Sequence, residues 1–307
     1  MDCYFVCTGG GRLESAGHSE KPMMSASSNS PCDDKWYPPS SVLELHDGLW
    51  RPAVVSSVSY PEDGNETCLQ VEDGSYWFAH RNRCILAAMQ HFPPQGTVYD
   101  IGGGNGFVAQ GMQNAGHDVV LVEPGSGARN AVRRGVKKVI WATLADAGLQ
   151  AQSMPAAGAF DVVEHIEDDV GFLNVIKDGL EPGGRFYCTV PASSLLWSDE
   201  DVHAGHYRRY TRSSLARAME KAGMEVEYVT QMFAWLVLPV LALRMLPFRI
   251  RGSRKANLST VQSDHRLPAM LDGLVGRLHE WELSRIKAAK SVFPGTSLLC
   301  VARAPKR

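Results

Sequence analysis

Val98-Tyr99-Asp100-Ile101-Gly102-Gly103-Gly104-Asn105-Gly106 decides the fold, because an apolar run here ends in glycine at alternate positions. A helix-like segment follows, then a second apolar run, Val119-Val120-Leu121-Val122, closed by the acid Glu123. Strand, glycine turn, helix, strand, carboxylate is the layout by which an open α/β sheet holds a nucleoside at its carboxyl edge. Glycine permits positive φ and lets a ligand touch the backbone where a Cβ would intrude. The carboxylate at the tip of the neighbouring strand can accept hydrogen bonds from a ribose diol. A dinucleotide fingerprint, G-x-G-x-x-G, needs glycine at its sixth position, where this chain has Phe107; its third glycine comes one place early, at Gly106.

Outward from this stretch, apolar runs alternate with segments of helical period, which predicts an α/β fold with a mainly parallel sheet and helices on both faces. Strands are expected near 97–101, 118–123, 137–141, 157–163 and 184–190, with helices near 106–116, 126–134 and 168–179. A helix near 212–222 stops at Gly223, and strands follow at 224–230 and 297–302. Residues 1–35 read as a disordered leader, with a serine-rich tract at 25–30 and no basic-then-apolar secretory signal. Residues 36–95 form an N-terminal cap region. Within it a hairpin is expected from strands at 54–60 and 68–71 about the turn Pro61-Glu62-Asp63-Gly64-Asn65, then a helix stopped by Pro93-Pro94. Residues 96–307 form the nucleoside-binding domain, with an insertion at about 231–295.

Bulk composition narrows the function classes. The chain has 307 residues, 44% apolar and 21% charged, with net charge −2, so it lacks the electrostatic footprint of a nucleic-acid binder. Nor does it contain the N/D-P-P-Y/F tetrapeptide of amino-group DNA methylation. Seven scattered cysteines with no C-x-x-C pair predict free thiols in a reducing, cytoplasmic setting and no metal site.

The run D-x-G-x-G-x-G from Asp100 resembles motif I of the class I S-adenosylmethionine (AdoMet) methyltransferases. Phe160-Asp161-Val162-Val163-Glu164-His165 resembles the V-L-E-H segment of small-molecule O-methyltransferases of the ubiquinone-biosynthesis type. His203-Ala204-Gly205-His206-Tyr207-Arg208-Arg209-Tyr210-Thr211 is similar to the G-T-H-x-x-x-[FY] stretch after their fifth strand, and the resemblance covers roughly 97–230 plus the final strand. It implies a Rossmann-like sheet whose last strand inserts antiparallel, and AdoMet as cofactor. Gly102, Gly104 and Gly106 would then line its methionine side, and Asp100 would orient the loop and the ammonium. Glu123 would take the ribose, Thr143 and Leu144 would flank adenine, and Phe160 and Asp161 would floor the methyl donor.

His206, at the family position, is the expected general base or acceptor-orienting group, with His203 and His165 as further catalytic candidates. Trp77, His80, Arg81 and Asn82 would form a lid or simply packing, and Arg208, Arg209 and Tyr210 would grip an anionic acceptor or brace their loop. The acceptor implied is a small molecule, glycan or lipid-linked compound, methylated at oxygen by direct displacement. The alternatives are a nicotinamide-dependent oxidoreductase and a catalytically inactive AdoMet-binding protein.

Within the insertion, Phe233-Ala234-Trp235-Leu236-Val237-Leu238-Pro239-Val240-Leu241-Ala242-Leu243 is apolar, and Arg244, Arg249, Arg251, Arg254 and Lys255 follow. A peripheral membrane contact through 233–255 and a buried lid helix both fit this pattern. Helical spacing across 268–290 predicts a cover helix or a homo-oligomer surface.

Overall fold

The computed structural model describes residues 36–54, 68–69, 71–251 and 272–306. Among these described residues nine strands form a single sheet: β1 (Leu43–His46), β2 (Leu49–Pro52), β3 (Val98–Ile101), β4 (Val119–Val122), β5 (Val139–Ile140), β6 (Met154–Phe160), β7 (Leu180–Pro191), β8 (Glu225–Met232) and β9 (Ser297–Arg303). Their order across the sheet is β1-β2-β5-β4-β3-β6-β7-β9-β8. Strands β5, β4, β3, β6 and β7 pair in parallel, and β9 inserts antiparallel between β7 and β8. This is the Rossmann-like class I arrangement expected. The order reverses between β3 and β6, so the crevice beyond their carboxyl ends is where such a sheet takes a ligand.

The central strands are mostly apolar because both faces are covered. β3 and β4 are buried at every position. One core layer unites Val120, Ile140, Phe186 and Leu298 with Leu173, Ile176 and Leu215 of the helices; the other unites Leu121, Tyr187 and Leu299 with Ile85, Met89 and Met112. The helices are α1 (Tyr76–His91), α2 (Phe107–Asn114), α3 (Gly127–Arg134), α4 (Asp169–Gly179), α5 (Asp199–Ala204), α6 (Arg212–Lys221), α7 (Val237–Val240), α8 (Leu246–Arg251) and α9 (Asp272–Lys287).

Local chemistry sets their ends. Ser75 caps α1 by accepting from the amides of Trp77 (3.2 Å) and Phe78 (3.3 Å), and Asp168 caps α4 through Gly171 N (2.9 Å). Gly223 at φ +77° follows α6.

Three expectations need correction. Of the cap-region hairpin, 55–67 lie outside the described residues, as does the leader 1–35. Cys68 and Leu69 are helical instead of extended, as are Val71 and Glu72. Burial explains the turn: it sends the Glu72 carboxylate inward to Arg134 (2.7 Å) and Asn105 (3.2 Å). The hairpin that does form is β1–β2, through Asp47-Gly48 with both φ positive (51° and 80°), and it extends the sheet by a parallel bridge from Trp50 to Ile140. The fourth parallel strand occupies 154–160 rather than 157–163, because Asp161 at φ +59° breaks it. Finally, Cys84, Cys188 and Cys300 are free and buried, whereas Cys68 is disulfide-bonded. No helix among the described residues is long and apolar enough to cross a membrane.

Candidate active site

The glycine loop leaves β3 at Gly102, whose amide donates to Val122 O (2.8 Å). Gly102, Gly104 and Gly106 all have positive φ (+69°, +52° and +76°). Space restricts them as well. A Cβ on Gly102 would lie 2.9 Å from Val162 Cγ2, and one on Gly106 would lie 2.8 Å from Ala131 Cβ. Gly106 therefore lets α3 approach the loop, while Gly102 lines the crevice. A buried network holds the loop: Asn105 Nδ2 donates to Glu72, Asn130 Nδ2 donates to Asn105 Oδ1 (3.0 Å), and Arg134 Nε donates to Asn105 O (3.0 Å).

Glu123, at the tip of β4, is buried and accepts from Gly104 N (2.9 Å) and Gly125 N (2.6 Å). Its carboxylate thus fastens the glycine turn to the next strand end. Burial pushes its pKa up to about 7 against the two amide hydrogen bonds. Asp100 lies under the loop, where a Cβ on Gly103 would meet its Oδ2 at 2.7 Å. Burial raises Asp100 to about 7 as well, opposed by the charge of Arg81 and by the nearby Ala109 amide, although neither oxygen meets a donor in hydrogen-bond geometry. Arg81 of α1 forms a buried ion pair with Asp161 just beyond β6 and lies over the rings of Trp77 (4.8 Å) and Phe78 (5.0 Å). So α1 brings a guanidinium to the two acids, Asp100 and Asp161, at the ends of adjacent strands.

A cavity of about 460 Å³ opens beyond the carboxyl ends of β3, β4 and β6. Ile101, Gly102, Val122 and Pro124 line one side; Thr143, Leu144 and Ala145 follow β5; Val162, His165, Phe172 and Tyr207 close the rest. The lining is mainly apolar, which suits a purine ring. Glu123 sits between the lining residues Val122 and Pro124. Phe160 is buried in the sheet and does not line the cavity.

Behind His165 lies an acid–base cluster. His206 Nδ1 is 2.8 Å from Asp201 Oδ1, which also accepts from Arg209 Nε (2.7 Å). Asp201 is fully buried; burial alone would raise its pKa, but the His206 hydrogen bond and the Arg209 charge outweigh it and hold the carboxyl below its ordinary range. Its position is set by a capping box, in which Ser198 N donates to Asp201 Oδ2 (2.9 Å) at the start of α5. A proton on Nδ1 facing Asp201 puts the basic lone pair of a neutral His206 ring on Nε2. The His165 and His206 rings meet edge to face at 4.6 Å, and Glu164 joins them with ligand atoms all within 4.8 Å of one another.

A profile described as "Methyltransferase domain" matches residues 76–229, half of the chain. The chain belongs to this methyltransferase family. It is 26% identical over 172 residues to a "Probable S-adenosylmethionine-dependent methyltransferase" of Mycolicibacterium smegmatis, covering 54% of this chain and 66% of that protein. It is 30% identical over 157 residues to a "Ubiquinone biosynthesis O-methyltransferase" of Dinoroseobacter shibae, covering 42% and 59% respectively. The chain therefore spans less than two thirds of the length of either relative. Among solved structures, Haemonchus contortus phosphoethanolamine N-methyltransferase 2, bound to phosphomonomethylethanolamine and S-adenosylhomocysteine, superposes with a TM-score of 0.52 at 18% identity, over 84% of this chain and 62% of that one.

Gly104, Gly106, Glu123, Asp161 and His206 do not line the cavity, and neither do the remaining residues singled out in this methyltransferase domain. His80 is buried between α1 and α9, bonded to Glu282 (2.9 Å) and stacked on His279 at 3.6 Å. Burial and the neighbouring His80 lower His279 to about 4. His80, Cys84 and Glu282 form a second group of closely spaced ligand atoms. Glu282 also accepts from Phe233 N (3.0 Å) and Ala234 N (2.6 Å), which ties the insertion to α1. Trp77 stacks on Phe233 (5.4 Å), and Asn82 Nδ2 donates to Phe107 O (3.0 Å), joining α1 to α2. Arg208 and Tyr210 both bind Asp169, at 2.9 and 2.7 Å, and so hold the 192–211 segment to α4. His203 Nδ1 bonds Asp199 O (2.6 Å) on the exposed side of α5. Arg81, expected in the lid, pairs instead with buried Asp161, and Arg209, expected to grip an acceptor or brace its loop, pairs with buried Asp201. Asp201 lies five residues before His206, a spacing that local inspection could have flagged.

Proposed function

We propose that the protein transfers a methyl group from AdoMet to a small-molecule, glycan or lipid-linked acceptor, at oxygen. The observation that carries this is the Asp201–His206 pair, buried behind His165, which itself lines the nucleoside-sized cavity. The residues fit AdoMet. Gly102 lines the cavity at the head of a positive-φ glycine loop that would cradle the methionine end, Glu123 between the lining residues Val122 and Pro124 would take the ribose, and Thr143 and Leu144 of the lining would flank adenine. Asp100 and Arg81 supply opposite charges suited to the ammonium and carboxylate of the methionine end. When bound, AdoMet supplies a methyl group already activated by its sulfonium.

The protein's own contribution is alignment, exclusion of water and removal of one proton. His206 takes the acceptor hydroxyl proton at Nε2, while Asp201 fixes the ring tautomer and Arg209 holds Asp201. His206→Gln should lower turnover about a hundredfold and leave AdoMet affinity within roughly twofold. Initial rates beside calorimetric titration test this; a variant that loses the cofactor along with turnover would overturn the role.

One observation favours a second reading. The ligand atoms of Glu164, His165 and His206 are close enough together to share a divalent cation, which would orient an acceptor oxygen instead of His206 removing its proton. Turnover that is lost on chelation and restored by Mg²⁺ or Zn²⁺ would select it.

A further inference from the structure

Between Gln231 and Arg251 the sequence has three arginines, Arg244, Arg249 and Arg251, and no aspartate or glutamate; no acid follows until Asp264. The described part of this segment runs through α7, a π-helical turn (Leu241–Met245) and α8. Its apolar side chains are not all buried. Leu238 and Leu243 are each 75% exposed and Leu246 is 49% exposed. Leu243 and Leu246, three positions apart, are neighbours on the helical surface, and with Leu238 they leave apolar side chains facing water. The turn at 241–245 packs against Ser194–Leu196, where Leu195 is 63% exposed. That segment leads directly into α5 and His206. An apolar surface therefore adjoins the loop that carries the proposed base.

Charge selects the occupant. A protein partner could match the leucines alone, but exposed leucines within an acid-free, arginine-bearing segment match an anionic lipid surface, where acyl chains take the leucines and headgroups take the cations. The helical stretch from Val237 to Arg251 is shorter than the ~20 residues needed to cross a bilayer, so it would lie in the interface.

We infer that the face formed by 194–196 and 237–246 docks this protein on an anionic membrane surface and places the acceptor site beside lipid-borne or amphipathic acceptors. The acceptor clause rests on the methyl-transfer reading above; the docking does not.

Vesicle flotation tests it with the full chain. Wild type should float with phosphatidylcholine vesicles containing about 30 mol% phosphatidylglycerol, should bind pure phosphatidylcholine about tenfold more weakly, and should be released as salt rises from roughly 0.1 M to roughly 0.5 M. Leu238→Asp/Leu243→Asp should cut anionic-vesicle binding about tenfold or more while S-adenosylhomocysteine affinity stays unchanged, which shows that the fold survives. Arg244→Gln/Arg249→Gln/Arg251→Gln should abolish the preference for anionic lipid. His206→Gln should float like wild type, which separates docking from catalysis. Equal flotation of the leucine variant overturns the inference. So does absence of vesicle binding, including the case where these leucines instead drive a dimer that the leucine variant disrupts.

Discussion

Gly127→Ala is the substitution whose outcome follows most directly from the packing of the glycine loop. Gly127 opens α3, and a Cβ there would sit 2.6 Å from the carbonyl carbon of Gly104, 2.7 Å from its oxygen and 3.1 Å from its Cα. Nonbonded carbons are most stable at about 3.5–4.0 Å, so helix and loop would have to separate by roughly 1 Å. Alanine in place of glycine favours a helix by up to about 1 kcal/mol, less at the first position. Forcing an extra methyl group into a packed site costs about 1–3 kcal/mol. The clash is with backbone, and Gly104 is held by Glu123 while Asn130 ties α3 to Asn105, so neither side yields cheaply. The net expectation is a loss of about 1–2 kcal/mol of stability. Cofactor affinity should fall about tenfold, because the displaced backbone is the proposed cradle. Urea unfolding and calorimetric titration with S-adenosylhomocysteine measure the two quantities. Gly276→Ala, on α9 where nothing lies within 4 Å of the added Cβ, should be neutral or stabilising. If Gly127→Ala behaved like Gly276→Ala in both assays, the close approach of α3 to the loop would not constrain the site.

Arg81→Ala removes the guanidinium between Asp161 and Asp100 and leaves buried acid uncompensated, so denaturant unfolding should show a loss of about 3–5 kcal/mol. Asp201→Asn should lower turnover about a hundredfold or more by reversing the His206 tautomer, and initial rates set beside cofactor affinity would show whether binding survives. The pKa values of Asp100 and Glu123, raised by burial from 3.8 and 4.5 to about 7, have a defined sign. The folded state holds these protons more tightly than the unfolded state, so this stability is present below about pH 4 and is lost as pH rises towards 7. The slope is about 1.4 kcal/mol per pH unit per group, and urea titrations of the ligand-free protein should show it flatten in Glu123→Gln.

Much of the fold was legible because its parallel strands are covered on both faces and so read as apolar runs, unbroken in 119–122 and interrupted only by Asp100 in 98–101. Strand β6 was placed late because Met154-Pro155-Ala156-Ala157-Gly158-Ala159-Phe160 has no β-branched residue to announce it. The β1–β2 hairpin carried a strong local signal in Asp47-Gly48, but its short, half-polar strands were overshadowed by the more apolar run beginning at Val54. The cofactor edge was visible because glycine turn and acid lie in one local motif. The pairing of Arg81 was not, since Asp161 is 80 residues downstream. His80 likewise gave no hint that Glu282, 202 residues away, would hold it in the interior. Contacts of that range belong to the folded chain and leave no spacing in the sequence.

Calorimetric titration of the purified protein with S-adenosylhomocysteine and, in parallel, with NADH tests the central claim most directly. Saturable binding of one S-adenosylhomocysteine per chain, weakened by Glu123→Ala, with no heat from NADH, is the predicted result. Binding of NADH instead, or S-adenosylhomocysteine binding indifferent to Glu123, would contradict it.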